Sequence, residues 1–174
     1  MNEPFGVNVE FLSPAGLVNG TAEDCRSPLT RRLVDYWRAR LPAVGGLPRW
    51  RDIVLMELYP IAPFLAVKDV IDGPGDADYR NRFWGTGLTE GLGFEGTNRL
   101  VSSYEPAAMR NAVRKRYAGV VATGQSSMAR GHFTTLPDRA HVTFELVHLP
   151  LWGDADRIQH IISAYHFGFT AAEG

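Results

Sequence analysis

The sequence predicts an α+β domain: one antiparallel sheet of about five strands, a crossing helical segment, one long helix and an N-terminal helical extension. Three observations predict it. From Pro106 to Gly124, Met109, Val113, Tyr117 and Val120/Val121 recur at helical spacing. Met128 to Leu136, Ala140 to Leu151 and Arg157 to Phe169 then read as three consecutive strands, with Pro137-Asp138 and Gly153-Asp154 as turns. Upstream, Phe64 to Val70 and Tyr79 to Thr86 flank Asp72-Gly73-Pro74-Gly75-Asp76, so residues 64–86 read as a hairpin.

Each element has a local cause. Residues 1–26 read as irregular, with Gly, Asn and Pro among isolated apolar residues. Ser27-Pro28 is a helix start, because Ser caps and Pro suits the first helical position. Leu29, Leu33, Tyr36, Trp37 and Leu41 follow at spacings that make an amphipathic helix, and Leu41-Pro42 stops it. Residues 44–48 read as a linker, which divides the chain into an extension, 1–46, and a main domain, 47–174. A short helix is expected from Asp52 to Tyr59, with Ile53, Met56 and Leu58 or Tyr59 inward and Pro60 and Pro63 ending it. Gly85, Gly87, Gly91, Gly93 and Gly96 forbid a long regular helix, since each interior Gly costs about 1 kcal/mol relative to Ala. Gly124 suits a left-handed terminus for the long helix. Val142, Phe144 and Leu146 alternate with Thr143 and Glu145, the pattern of a sheet with one buried face.

Composition narrows the class. The chain has 174 residues, 45% of them hydrophobic, enough for a core without disulfides or metal. Net charge is −1, and the one dense basic cluster, Arg110, Arg114, Lys115 and Arg116, reads as a solvated helix face. That argues against nucleic acid as a partner, because phosphate binding needs clustered cations. A single cysteine, Cys25, fits a reducing compartment. The first eight residues lack a signal-peptide core, and no apolar run approaches the roughly 20 residues of a membrane span. The expectation is a cytoplasmic protein without membrane contact.

The landmarks resemble a known family. Tyr36-Trp37 on the first helix, Arg82-Phe83-Trp84-Gly85-Thr86 at the second strand end, Gly93-Phe94-Glu95-Gly96 in the crossing and Leu149-Pro150-Leu151 before Gly153-Asp154 occur in order. Over Trp37 to Phe169 the chain resembles PAS-like bacterial proteins of the PAS_5 type. Asn81 departs from that pattern, standing where an aromatic is expected. The resemblance implies a sensory fold around a small interior, and sensing or interaction rather than a reaction. Flavin-binding light sensors of this superfamily carry an adduct cysteine in the crossing, and none lies between Gly85 and Gln125. Haem-binding members commonly use a histidine on the long helix, and residues 104–124 contain none. Both cofactors are therefore argued against, and the identity of any ligand stays open.

Other constellations are weighed against ordinary structure. Gly91-Leu92-Gly93-Phe94-Glu95-Gly96 spells G-x-G-x-x-G, but no parallel βαβ context surrounds it. His132, His141, His148, His160 and His166 all fall on expected strands. A turn centred on Asp154 would set His148 opposite His160, yet no cysteine or carboxylate completes a metal site there. Ser126, Ser127 and Asp138 lack a nucleophile elbow, so no catalytic residues are assigned. Alternation puts Arg82 on one face with Trp84, and an inward Arg82 needs a carboxylate or an anionic ligand, with Asp69 and Glu145 as candidate partners.

The expected function is a stand-alone sensory or adaptor module. Arg82, Trp84, Tyr117, Phe133, Phe144 and Tyr165 are the candidate ligand-binding residues. A homodimer through the 28–41 helix and a signalling protein are the expected partners. The alternative is a small isomerase or hydrolase with an apolar pocket in a curved sheet, which would need an inward carboxylate such as Asp69 or Glu145.

Overall fold

The computed structural model describes residues 18–72, 76–133 and 142–169. Six strands, β1 (Val18–Gly20), β2 (Leu65–Ile71), β3 (Asp78–Trp84), β4 (Ser127–His132), β5 (Val142–Trp152) and β6 (Ile158–Phe169), form one antiparallel sheet in the order β1-β4-β5-β6-β2-β3. Three α-helices accompany it: α1 (Pro28–Arg38), α2 (Thr86–Leu92) and α3 (Ala107–Thr123). The hairpin, the crossing, the long helix and the final strands stand where the sequence places them. Residues 1–17, 73–75, 134–141 and 170–174 lie outside the described residues, and the expected turn residues Gly73-Pro74-Gly75 and Pro137-Asp138 are among them.

The sixth strand corrects, at Val18–Gly20, the reading of the chain before α1 as irregular. Val18–Gly20 pairs with Arg130, Ala129 and Met128 at the sheet edge. A strand of three residues among Gly and Asn has no alternation to reveal it. The helical reading of 52–59 is also corrected. A three-ten segment runs from Leu55 to Phe64, straight through Pro60 and Pro63. Its period of three turns Leu58 and Ile61 inward, so Met56 and Tyr59 are left 80% and 73% exposed.

Both faces of the sheet are covered, not one. On the outer face α1 docks against β5 and β6, burying Leu33 and Val34 against Val147, Leu149, Ile162 and Ala164. Ser27 caps α1 by accepting from the Leu29 amide at 3.2 Å. Glu145, on the face opposite Phe144 and Leu146, is buried beneath this cap rather than paired with Arg82. It accepts the amides of Arg26 (3.0 Å) and Ser27 (2.9 Å) and the Thr30 hydroxyl, and Arg130 Nε lies 3.5 Å away. One carboxylate thus ties the extension to β5. On the inner face α2 and α3 cover Ala66, Tyr79, Phe144, Leu146, Ile161 and Tyr165. Gly124 ends α3 with φ +67°, the left-handed conformation expected of it.

Two register details move side chains. Lys68 pairs with Asn81 while Val67 pairs with Phe83, so Arg82 is a bulge residue with no opposite. Beyond a bulge the alternation shifts by one. Arg82 therefore points to the outer face while Trp84 joins Tyr79 and Asn81 on the inner one, which corrects their shared-face assignment. In the β5/β6 hairpin the turn is centred past Asp154 and a bulge follows between Leu151 and Trp152, so His148 stands opposite Ser163 and His160 opposite Leu151. The His148–His160 pairing is overturned.

Candidate functional site

Between the inner face and α3 lies a cavity of about 40 Å³. Its floor is Leu146 and His148 on β5, Tyr165 on β6 and Phe133 beyond β4. Its roof is Met109, Ala112, Val113, Arg116 and Tyr117 of α3. Trp84, Leu92, Phe94 and Tyr104 close the side. The roof follows from helical spacing: positions 109, 112, 113, 116 and 117 share one face of α3. Close packing of the side wall depends on Gly96, where a Cβ would come within 2.6 Å of the Trp84 ring. The Trp84 indole donates to the Thr89 hydroxyl at 3.1 Å and lies 5.3 Å from the Phe94 ring.

Four of the six sequence candidates, Trp84, Tyr117, Phe133 and Tyr165, line this cavity. Phe144 stands one layer behind, stacked on Phe133 at 4.5 Å. Arg82 is outside it. The bulge turns Arg82 to the outer face, where it pairs with Asp69 at 2.7 Å and lies over the Trp50 ring. Asp69 also binds His160 Nδ1 at 2.9 Å, so this expected partner forms an outer ion cluster.

Sequence reasoning missed the polar members. Lys68 is fully buried on the inner face of β2. Its Nζ donates to the Ser163 hydroxyl at 2.9 Å and lies 3.5 Å from the Tyr165 hydroxyl. His148 Nδ1 shares Ser163 Oγ at 2.6 Å, and the Tyr117 and Tyr165 hydroxyls meet at 3.5 Å. Arg116 is 5% exposed, not part of a solvated basic face, and bonds Ser127 Oγ at 2.7 Å and Asn19 Oδ1 at 2.8 Å. Asn81, in the place of the expected aromatic, is buried and donates to Gly96 O and to the Tyr104 hydroxyl at 2.8 and 2.6 Å. The signal for these residues was available. Lys68 alternates with Ala66 and Val70, His148 with Phe144 and Leu146, and Arg116 completes the apolar α3 face.

Burial sets the electrostatics. It drives the Lys68 ammonium well below its ordinary pKa, and no neighbouring carboxylate opposes that. Burial also lowers His148, and the Arg116 guanidinium adds to it, so the imidazole is neutral. Burial pushes Tyr165 up to about 12 and raises Tyr104 and Tyr117, so all three hydroxyls keep their protons as donors. The site thus presents neutral donors and one guanidinium beside apolar walls.

The other constellations take ordinary places. Gly91 to Gly96 spans the C-terminal end of α2, with Gly93 as its left-handed cap, so the glycines face no helix N-terminus. Cys25 is buried, and burial pushes its thiol up to about 11, away from nucleophilic character. Ser126 accepts from the Ala22 amide and Ser127 from Arg116, while Asp138 and His141 lie outside the described residues. Among the described residues no three His, Cys, Asp or Glu side chains converge as a metal site, and no helix is long and apolar enough to cross a membrane.

The strand order β4-β5-β6-β2-β3, with the helical crossing and α3 joining β3 to β4, defines a PAS-like α+β fold, extended here by β1. No protein-family model matches the chain, and no curated protein matches it. Among solved structures it is similar to one described as an RNA-binding Light-Oxygen-Voltage receptor, at 19% identity and a TM-score of 0.41. That similarity covers 72% of this chain and 36% of the receptor chain.

Proposed function

We propose that this protein is a PAS-like sensory or adaptor module of bacterial signal transduction, of the PAS_5 type its landmarks resemble, and that it binds a small molecule under α3. The cavity carries this reading: apolar and aromatic walls with a few convergent polar groups are the usual makeup of a small-molecule site. Trp84, Tyr117, Phe133 and Tyr165 are the ligand contacts, with Phe144 supporting Phe133. The boundary near residue 46 separates the sensory domain from an extension that carries the output. Arg116 supports that coupling, because it lines the cavity and also holds Asn19 of β1.

The enzyme reading, an isomerase or hydrolase, requires an inward carboxylate. Asp69 and Glu145 both face outward, which favours the sensor. No nucleic-acid or membrane role is assigned, and the protein works in the cytoplasm. Output passes to a signalling partner or through a homodimer in which the 28–41 helix takes part, with Leu41, 40% exposed beyond α1, at the contact edge. Light scattering at high concentration should give twice the chain mass, and a persistent monomer would remove the dimer from the scheme.

Native mass spectrometry combined with thermal shift tests the site. Small aromatic or aliphatic compounds should be retained by the full chain and raise its Tm. Ala112→Phe, which fills the roof, should abolish both effects. Equal responses in the two proteins, or none from any compound, would overturn the assignment.

A further inference from the structure

The cavity wall carries donors and a guanidinium but, among the described residues, no carboxylate. Behind Tyr165 stands Lys68, fully buried, with the rings of Tyr117 and Tyr165 at 5.0 and 5.4 Å from its Nζ and two hydroxyls as its polar neighbours. An isolated ammonium there is costly, so burial favours the neutral amine. Among the described residues this part of the inner face therefore holds cationic and donor groups but no carboxylate, next to an apolar space.

We propose that the cavity takes a short monocarboxylate with an apolar tail, whose carboxylate lies among the Tyr117 and Tyr165 hydroxyls and Arg116. This rests on the cavity reading above and names its ligand class. Size sets the tail: one water needs about 10–15 Å³ of such space, so the 40 Å³ present suits about three to five heavy atoms. Leu92, Met109, Val113 and Leu146 receive the tail. No bond forms to the ligand; the Lys68 amine takes one proton from solvent and becomes an ammonium. The other groups facing this space do not compete for that proton. Tyr79 on β3, Tyr104 before α3, Tyr117 and Tyr165 already hold theirs, Arg116 is a fixed cation, and His148 is disfavoured as an acceptor by that cation.

Isothermal titration of the full chain with sodium propionate and with propionamide, near pH 8 in buffers of different ionisation enthalpy, tests this directly. Propionate should bind at least about tenfold more tightly than propionamide and draw protons from the buffer. Lys68→Met should lose the uptake and most of the preference. Tyr165→Phe, a smaller change, should weaken propionate more than propionamide. Propionamide binding as well as propionate, with Ala112→Phe removing both, would keep the cavity and overturn the anion. Uptake that persists in Lys68→Met would overturn the role of the lysine. Neither compound binding at roughly 100 mM, where even a weakly efficient five-atom ligand registers, would overturn the anion inference, and the wider compound series on Ala112→Phe then decides the cavity reading separately.

Discussion

Glu145→Ala should destabilise the protein by about 3–5 kcal/mol, the usual cost of leaving the partners of a buried charge unpaired. The structure supplies the reason. The carboxylate is buried between β5 and the start of α1, where it accepts two backbone amides and the Thr30 hydroxyl and faces Arg130. Alanine leaves these donors without a protein acceptor. Glu145→Gln keeps the shape and one carbonyl, and should cost about 1.5–3 kcal/mol, the range for hydrogen bonds to a charged group. Thr30→Val removes a single donor and should cost about 1 kcal/mol. Acid gives an independent check. Burial pushes the Glu145 carboxyl up, but Thr30, the Ser27 and Arg26 amides and the Arg130 charge together hold it below the ordinary glutamate value. The unfolded chain then binds the extra proton, so this stabilisation is complete above the unfolded pKa and is lost as pH falls through the folded one. Urea unfolding of wild type and Glu145→Gln should converge as acid is added. A Glu145→Ala loss below about 1 kcal/mol, or a gap between the two proteins that does not narrow in acid, would refute the anchor.

Trp84→Ala should cost about 3–5 kcal/mol in chemical denaturation, because the ring is buried and closes the cavity wall. Lys68→Met should stabilise the free protein by about 1–3 kcal/mol at neutral pH, since it removes a desolvated polar group with few partners. Wild-type stability should also rise with pH from the lowered folded pKa of Lys68 up to the unfolded value near 10.4, because the unfolded chain holds the proton there; the variant should lack that slope. Purified protein should show no visible absorption, and a Soret band or a flavin spectrum that survives dialysis would contradict that.

The strand and helix order was legible because it is written in local chemistry. Gly124 stops α3, Ser27-Pro28 starts α1, and each hairpin has its turn residues. Side-chain direction was legible only where alternation is unbroken. The Arg82 bulge is a single inserted residue with no composition of its own, and it sent one of the six ligand candidates to the wrong face. At the β5/β6 hairpin the turn is centred past Asp154, which its turn residues do not specify, so His148 meets Ser163 rather than His160. Which strand residues lie under α1 was the other hidden fact. A strand that alternates Glu145 with Leu146 looks half-solvated until α1 is seen above it. Lys68 and Arg116 read as surface charges by type, though their periodic positions place them inside. The aromatic part of the cavity was therefore readable, and its charged part was masked by the ordinary preference of those residues for solvent.

The most direct test of the cavity as the sensing site is the response of the four tryptophan indole signals in a ¹H–¹⁵N spectrum as propionate or another small compound is added. Trp84 lines the cavity, whereas Trp37 and Trp50 pack on the outer face and the Trp152 ring lies beside Arg49. The account predicts that the Trp84 indole shifts first and saturably, and that Ala112→Phe suppresses the shift. Saturable movement of Trp37, Trp50 or Trp152 with Trp84 unchanged would contradict it.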